Sequence, residues 1–206
     1  MAVKQKKLRA LHYSKALVIC HGLSELQITK YIYTNLHLPV RTYAKDNGKH
    51  SIQITSLLNL LSSAPFGSLS QFCDEYTVQA EGSGNKQRLV NFKVFIIMDT
   101  DDCTDQQKAD FMDGKMFSDH WLAPYIVPIA NIPNLESVFE KAKLIRKIKS
   151  SEKGTYYSET FPINKGQLTP GTVAEIEAFC DKLENQKGTN FPDMIHYFLS
   201  LLQKIE

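Results

Sequence analysis

The sequence predicts an α/β fold, a central and mostly parallel sheet of about four strands flanked by helices, with a helical C-terminal extension. Two unbroken apolar runs, Ala16-Leu17-Val18-Ile19-Cys20 and Val94-Phe95-Ile96-Ile97-Met98, are too short for helices. They read as strands buried on both faces, as in parallel sheets. The first run is followed by helical periodicity and then a second strand-like run, which is the beginning of a βαβ unit. The chain has 206 residues, 43% of them apolar, enough for one full hydrophobic core, and no repeat or linker divides it. Collagen-like, fibrous and wholly disordered classes are excluded.

After the first strand, Leu26, Tyr31, Ile32 and Leu36 recur at near-helical spacing over residues 23–36. Pro39 then turns the chain into a second strand over 40–44. Beyond the Asp46-Asn47-Gly48 turn, Ser51 is placed to cap a helix reaching Leu61, with Ile54, Leu57, Leu58 and Leu61 on one face. Ala64-Pro65-Phe66-Gly67 breaks the chain before a weaker helical stretch over 69–76. The glycine-rich loop at 81–86 lacks the spacing of a phosphate-binding loop. A second buried strand ends on Asp99, and Thr104 with Gln107 forms a capping box for a helix over 105–113. The run at 125–129, flanked and interrupted by Pro124 and Pro128, suits an edge or broken strand. Asn134 caps a helix expected to reach Ile148. Residues 152–167 show no period, although Tyr156, Tyr157 and Phe161 are expected to pack against the body. Thr169-Pro170 begins a helix to Leu183, and a last helix follows Phe191-Pro192 with Met194, Ile195, Phe198, Leu199, Leu202 and Ile205 as its apolar stripe. The organisation expected is an α/β domain over 1–150 with a helical extension over 151–206 packed on it.

The 24 basic and 22 acidic residues nearly cancel, leaving +2, but they are segregated. Residues 99–119 hold seven acids against two lysines, a local −5, so the remainder carries +7. Concentrated carboxylates in a basic chain suit a cation site within a surface that tolerates polyanions, or an acidic helix face. Cys20, Cys73, Cys103 and Cys180 form no CxxC pair and no zinc-ribbon spacing, and they read as unpaired thiols of a reducing compartment. The basic N-terminus (Lys4, Lys6, Lys7, Arg9) lacks a signal peptide's apolar region and no stretch is long enough to span a membrane, so a cytoplasmic protein is expected.

In open parallel sheets, functional groups gather at the carboxyl ends of strands. The two buried strands end on Cys20-His21-Gly22-Leu23-Ser24-Glu25 and on Asp99-Thr100-Asp101. If these strands are neighbours, His21, Glu25, Asp99 and Asp101 converge. Alternate residues leaving a strand point the same way, so Asp99 and Asp101 can offer two carboxylates to a hard cation such as Mg²⁺. The competing reading has Asp101, Asp102 and Asp105 merely capping a helix. The remaining histidines, His12, His37, His50, His120 and His196, share no metal spacing, and Trp121 reads as a packing anchor. Lys141, Lys143, Arg146 and Lys147, with Lys149 and Lys153, can meet nucleic-acid phosphates or form a solvated helix face.

The order of these motifs resembles the TOPRIM fold, a Rossmann-like arrangement, and within it the OLD-type and RloB-like branch of bacterial defence proteins. The matching pieces are Leu17 to Glu25, Val94 to Asp101, and Ile132-Pro133-Asn134-Leu135-Glu136, within residues 15–145. The resemblance implies a divalent-metal-dependent nuclease acting on DNA or RNA, with Mg²⁺ or Mn²⁺ held by Asp99, Asp101, Glu25 and Glu136, and a partner ATPase. It also implies catalytic roles for Glu25, Asp99, Asp101 and position 21. There the family carries glutamate and this chain carries His21. Imidazole suits Mn²⁺, Fe²⁺ or Zn²⁺ better than Mg²⁺. Either the metal differs, or the site leans on Glu25, or catalysis is lost and the chain is a module binding nucleic acid or protein. Two further readings take the D-x-D triplet as a haloacid-dehalogenase-type motif, which Cys103 breaks, or as a glycosyltransferase Mn²⁺ site, which leaves residues 21–25 unexplained.

Overall fold

The first strand, β1 (Ala16–Cys20), is buried at every position because its alternate side chains enter two different cores. The computed structural model describes residues 13–149, 152–164 and 166–202. Lys4, Lys6, Lys7, Arg9, His12 and Ile205 lie outside the described residues. From β1 the chain runs through α1 (Leu23–Asn35) to β2 (Val40–Tyr43), which pairs in parallel with Ala16 opposite Val40. Two helices, α2 (Leu57–Leu61) and α3 (Leu69–Tyr76), and a small antiparallel pair, β3 (Ala80–Glu81) and β4 (Arg88–Leu89), lead to β5 (Lys93–Asp99). β5 lies parallel to β1 on its other side, Ala16 opposite Lys93. Then come α4 (Asp105–Met112) and the parallel strand β6 (Ile126–Asn131), followed by α5 (Leu135–Lys141), α6 (Lys153–Thr160), α7 (Pro170–Glu184) and α8 (Phe191–Leu202). The four-stranded order is β2-β1-β5-β6, the parallel α/β sheet expected from the sequence.

Strand alternation sorts the core into two layers. Val18, Cys20, Phe95, Ile97 and Ile129 face α1, α5, α6, α7 and α8, whereas Leu17, Ile19, Ile96, Met98 and Ala130 face α2, α3, α4 and the β3–β4 pair. The C-terminal helices are therefore part of one face of the sandwich. Phe198 of α8 stands edge-on to Phe95 of β5 at 5.9 Å between ring centroids. No helix among the described residues is long and apolar enough to cross a membrane.

Local chemistry explains both agreement and departure. Thr104 and Gln107 form the capping box at α4, Asn134 caps α5, Thr169 caps α7 with Pro170 at its first position, and Pro128 lies on an edge strand. The helix expected from Ser51 begins only at Leu57, after a 3₁₀ turn at Ile54–Ser56. Ile52, Ile54 and Thr55 are β-branched, and such side chains lose rotamer freedom in a helix. The helix expected to reach Ile148 stops at Lys141 in a Schellman motif: Lys143 adopts φ 56°, Lys143 N donates to Glu140 O, and Leu144 N donates to Phe139 O. Residues 152–167, without a readable period, contain α6, held by Tyr157 and Phe161 stacked 5.9 Å apart in the core.

Candidate active site

At the carboxyl end of the sheet, β1 and β5 lie side by side, with Cys20 opposite Ile97. The chain leaves β1 through α1 on one face and leaves β5 through α4 on the other, toward opposite edges of the sheet. This divergence opens a crevice at the switch in strand order, the usual ligand position of open α/β sheets. His21 directly follows β1, and Asp99 closes β5 with the same parity as Phe95 and Ile97, on the face of α1.

Asp99 is 6% exposed. Its Oδ1 accepts the Leu135 backbone N–H at 2.9 Å, at the start of α5, and the Asn131 side-chain amide at 3.5 Å. Its Oδ2 faces His21 Nε2 at 4.0 Å, beyond hydrogen-bond reach. Glu25, 2% exposed, sits at the third position of α1 and accepts the Gly22 N–H at 2.9 Å, so the sequence element at 22–25 folds as a backbone-anchored helix start. Glu136, in the first turn of α5, accepts from Ser24 Oγ at 3.2 Å and from Lys153 Nζ at 2.6 Å. Two buried polar atoms, His21 Nδ1 and the Tyr157 hydroxyl, have no hydrogen-bond partner among the described residues. The cleft thus keeps unused hydrogen-bonding capacity beside its acids.

Electrostatics binds the group together. Burial, and next the charge of Glu25, raises the Asp99 pKa to about 7, while His21 opposes the rise. Burial likewise lifts Glu25 to about 7, and Glu136 adds to it across the cleft while Lys153 counters. Burial disfavours the charged form of both carboxylates, and a bound cation would favour it.

No protein-family model, curated protein or solved structure matches the chain. The functional reading therefore rests on the chemistry of the site.

Of the residues singled out by sequence, His21, Glu25, Asp99 and Glu136 meet in this cleft. Asp101 lies outside the strand, because Thr100 N bends the chain by donating to Asn131 O and Pro133 O at 3.2 and 2.8 Å. Exposed Asp101 accepts from the Asn134 side chain at 2.9 Å, and Asp102 is exposed as well. Among the described residues, no three of these side chains bring ligand atoms within 4.8 Å of one another; that proximity occurs instead at Cys180, Glu184 and His196. Lys141, Lys143, Arg146 and Lys147 are exposed, mostly on the loop after α5 rather than on one helix face. Arg146 lies 5.2 Å over the Tyr156 ring, and the connection ends near Lys153, which returns to Glu136. Lys153 therefore does not belong with the basic run, since its partner is an acid of the cleft.

Sequence reasoning missed Asn131, Ser24 and Tyr157. Asn131, fully buried opposite Asp99, accepts from Thr189 at 2.9 Å, and only an asparagine ending an edge strand beside an acid hints at this role. A groove of about 1200 Å³ opens at the other end of the sheet around Lys15, Leu38, Lys93, Tyr125 and Tyr197, away from these acids.

The donor types suit a hard divalent ion, three carboxylates from α1, β5 and α5 with Glu25 and Asp99 buried, but their ligand atoms are not gathered within 4.8 Å of one another as they stand. Asp99 Oδ2 and the Glu25 carboxylate are the groups that would hold it, with Glu136 behind.

Proposed function

We propose that this chain is a TOPRIM-type nuclease that depends on Mg²⁺ or Mn²⁺ and hydrolyses phosphodiester bonds of DNA or RNA in the cytoplasm, in bacterial anti-phage defence with a partner ATPase. The observation that carries this reading is the pair of buried carboxylates, Glu25 and Asp99, at the switch point of a parallel sheet, with the charge of Glu25 felt at Asp99. A bound ion would polarise the phosphodiester and lower the pKa of a coordinated water.

The protein's own groups supply the rest. Leu135 N–H and Asn131 fix Asp99, leaving Oδ2 toward the cleft. The Gly22 N–H fixes Glu25. His21 turns Nε2 toward Asp99 Oδ2 at 4.0 Å and leaves its buried Nδ1 without a partner among the described residues. Lys153 and Ser24 orient Glu136, and the exposed Lys141, Lys143, Arg146 and Lys147 attract the phosphate backbone.

One observation favours a second reading, a non-cleaving module that binds nucleic acid or protein: His21 lies 4.0 Å from Asp99 and, when protonated, serves as an internal counter-charge. Two variants separate the readings. The nuclease reading expects metal-dependent cleavage of labelled DNA or RNA by the wild type and its loss in Asp99→Ala. Cleavage that persists in Asp99→Ala overturns it, and cleavage that appears only in His21→Glu selects the binding module.

A further inference from the structure

Away from these acids, α7 and α8 bring together three side chains of different ligand chemistry: a thiol, a carboxylate and an imidazole. Cys180 and Glu184 are one turn apart on α7, and His196 comes from α8. One ligand atom from each lies within 4.8 Å of the other two. His196 Nε2 and Glu184 Oε1 are 2.7 Å apart, and their side chains are 57% and 45% exposed. Beneath them Cys180 is 2% exposed, so the cluster has a solvent-facing mouth and a sulfur floor.

An exposed Glu–His ion pair would need nothing below it. Here the sulfur is seated under that pair, and Asp181 and Asp193 add negative charge around it. Sulfur, imidazole and carboxylate are the ligand types of zinc, at roughly 2.0 to 2.3 Å from the ion, whereas Mg²⁺ and Ca²⁺ take oxygen. The three ligand atoms already lie within 4.8 Å of one another, and the two that face solvent, on His196 and Glu184, belong to exposed side chains.

We propose that Cys180, Glu184 and His196 form a Zn²⁺ site that clips α7 to α8. As the Zn–S bond forms, the Cys180 thiol releases its proton to solvent, and Zn²⁺ takes one ligand from each residue with water in the remaining position. Binding the folded state alone, the ion stabilises the docking of α8, whose Phe198 packs on β5. The site uses none of the residues assigned to the proposed nuclease, so either assignment can fail without the other.

The test titrates chelator-treated full-length protein with Zn²⁺ against a chromophoric indicator, and with Co²⁺ by absorbance. Expected are a tight equivalent of Zn²⁺ and a thiolate-to-Co²⁺ charge-transfer band that Cys180→Ser abolishes. His196→Ala, at an exposed position that leaves the core intact, is expected to weaken Zn²⁺ binding by about tenfold or more. Absence of the band in the wild type, its persistence in Cys180→Ser, or unchanged Zn²⁺ affinity in His196→Ala overturns the site.

Discussion

Replacing Asp99 by asparagine should stabilise the protein at alkaline pH while removing a group of the proposed site. Asparagine keeps the Oδ1 acceptor for Leu135 N–H and removes the charge that burial and Glu25 penalise. The rise of the Asp99 pKa from 3.8 to about 7 corresponds to roughly 4 kcal/mol at about 1.4 kcal/mol per unit. Part of that belongs to the repulsion shared with Glu25, so the expected gain at pH 8 is roughly 2 to 4 kcal/mol. The sign follows from proton binding. Between pH 3.8 and about 7 the folded state holds a proton that the unfolded state has lost, so wild-type stability falls as pH rises through this window. Urea unfolding from pH 4.5 to 8.5 without divalent ions measures the effect. The wild type should lose stability across that range, the variant should lose less, and saturating Mn²⁺ should stabilise only the wild type. A variant less stable than wild type at pH 8, with an unchanged pH slope, would mean that the buried Asp99 charge does not destabilise the fold.

Three further outcomes are expected. Phe198→Ala empties a fully buried position against Phe95 and should cost about 3 to 5 kcal/mol in urea unfolding. Gly48→Ala should destabilise by about 1 kcal/mol or more, because φ is +84° and a Cβ there would lie 2.8 Å from the Leu23 Cα at the start of α1. Changing Lys141, Lys143, Arg146 and Lys147 together to glutamine should reduce the salt dependence of DNA binding by about one unit of slope for each phosphate no longer neutralised, measured by fluorescence anisotropy in a salt series.

The sheet was legible because β1 and β5 are buried on both faces, and continuous apolar runs are what such burial demands. Caps were legible where a side chain meets a backbone N–H three residues away, as at Thr104, Asn134 and Thr169. The end of α5 was not, because Lys143 adopts a left-handed conformation that its side chain does not announce. At the candidate site, the local elements around His21, Glu25 and Asp99 were readable, but the alternation argument for Asp101 assumed a strand that already ends at Asp99. Pairings between distant segments escaped entirely: Lys153 with Glu136, Asn131 with Asp99, and Cys180 with His196 depend on packing that no spacing encodes.

Metal-dependent hydrolysis at Glu25 and Asp99 is the proposed activity. Its most direct test is single-turnover cleavage of end-labelled DNA and RNA by the wild type and by Asp99→Asn, each confirmed folded, with Mn²⁺ or Mg²⁺ and after chelation. Cleavage by the wild type that chelation stops and metal restores is expected, with a folded Asp99→Asn protein slower by about 100-fold or more. Equal cleavage by the two proteins, or none by the wild type with either ion, would contradict it.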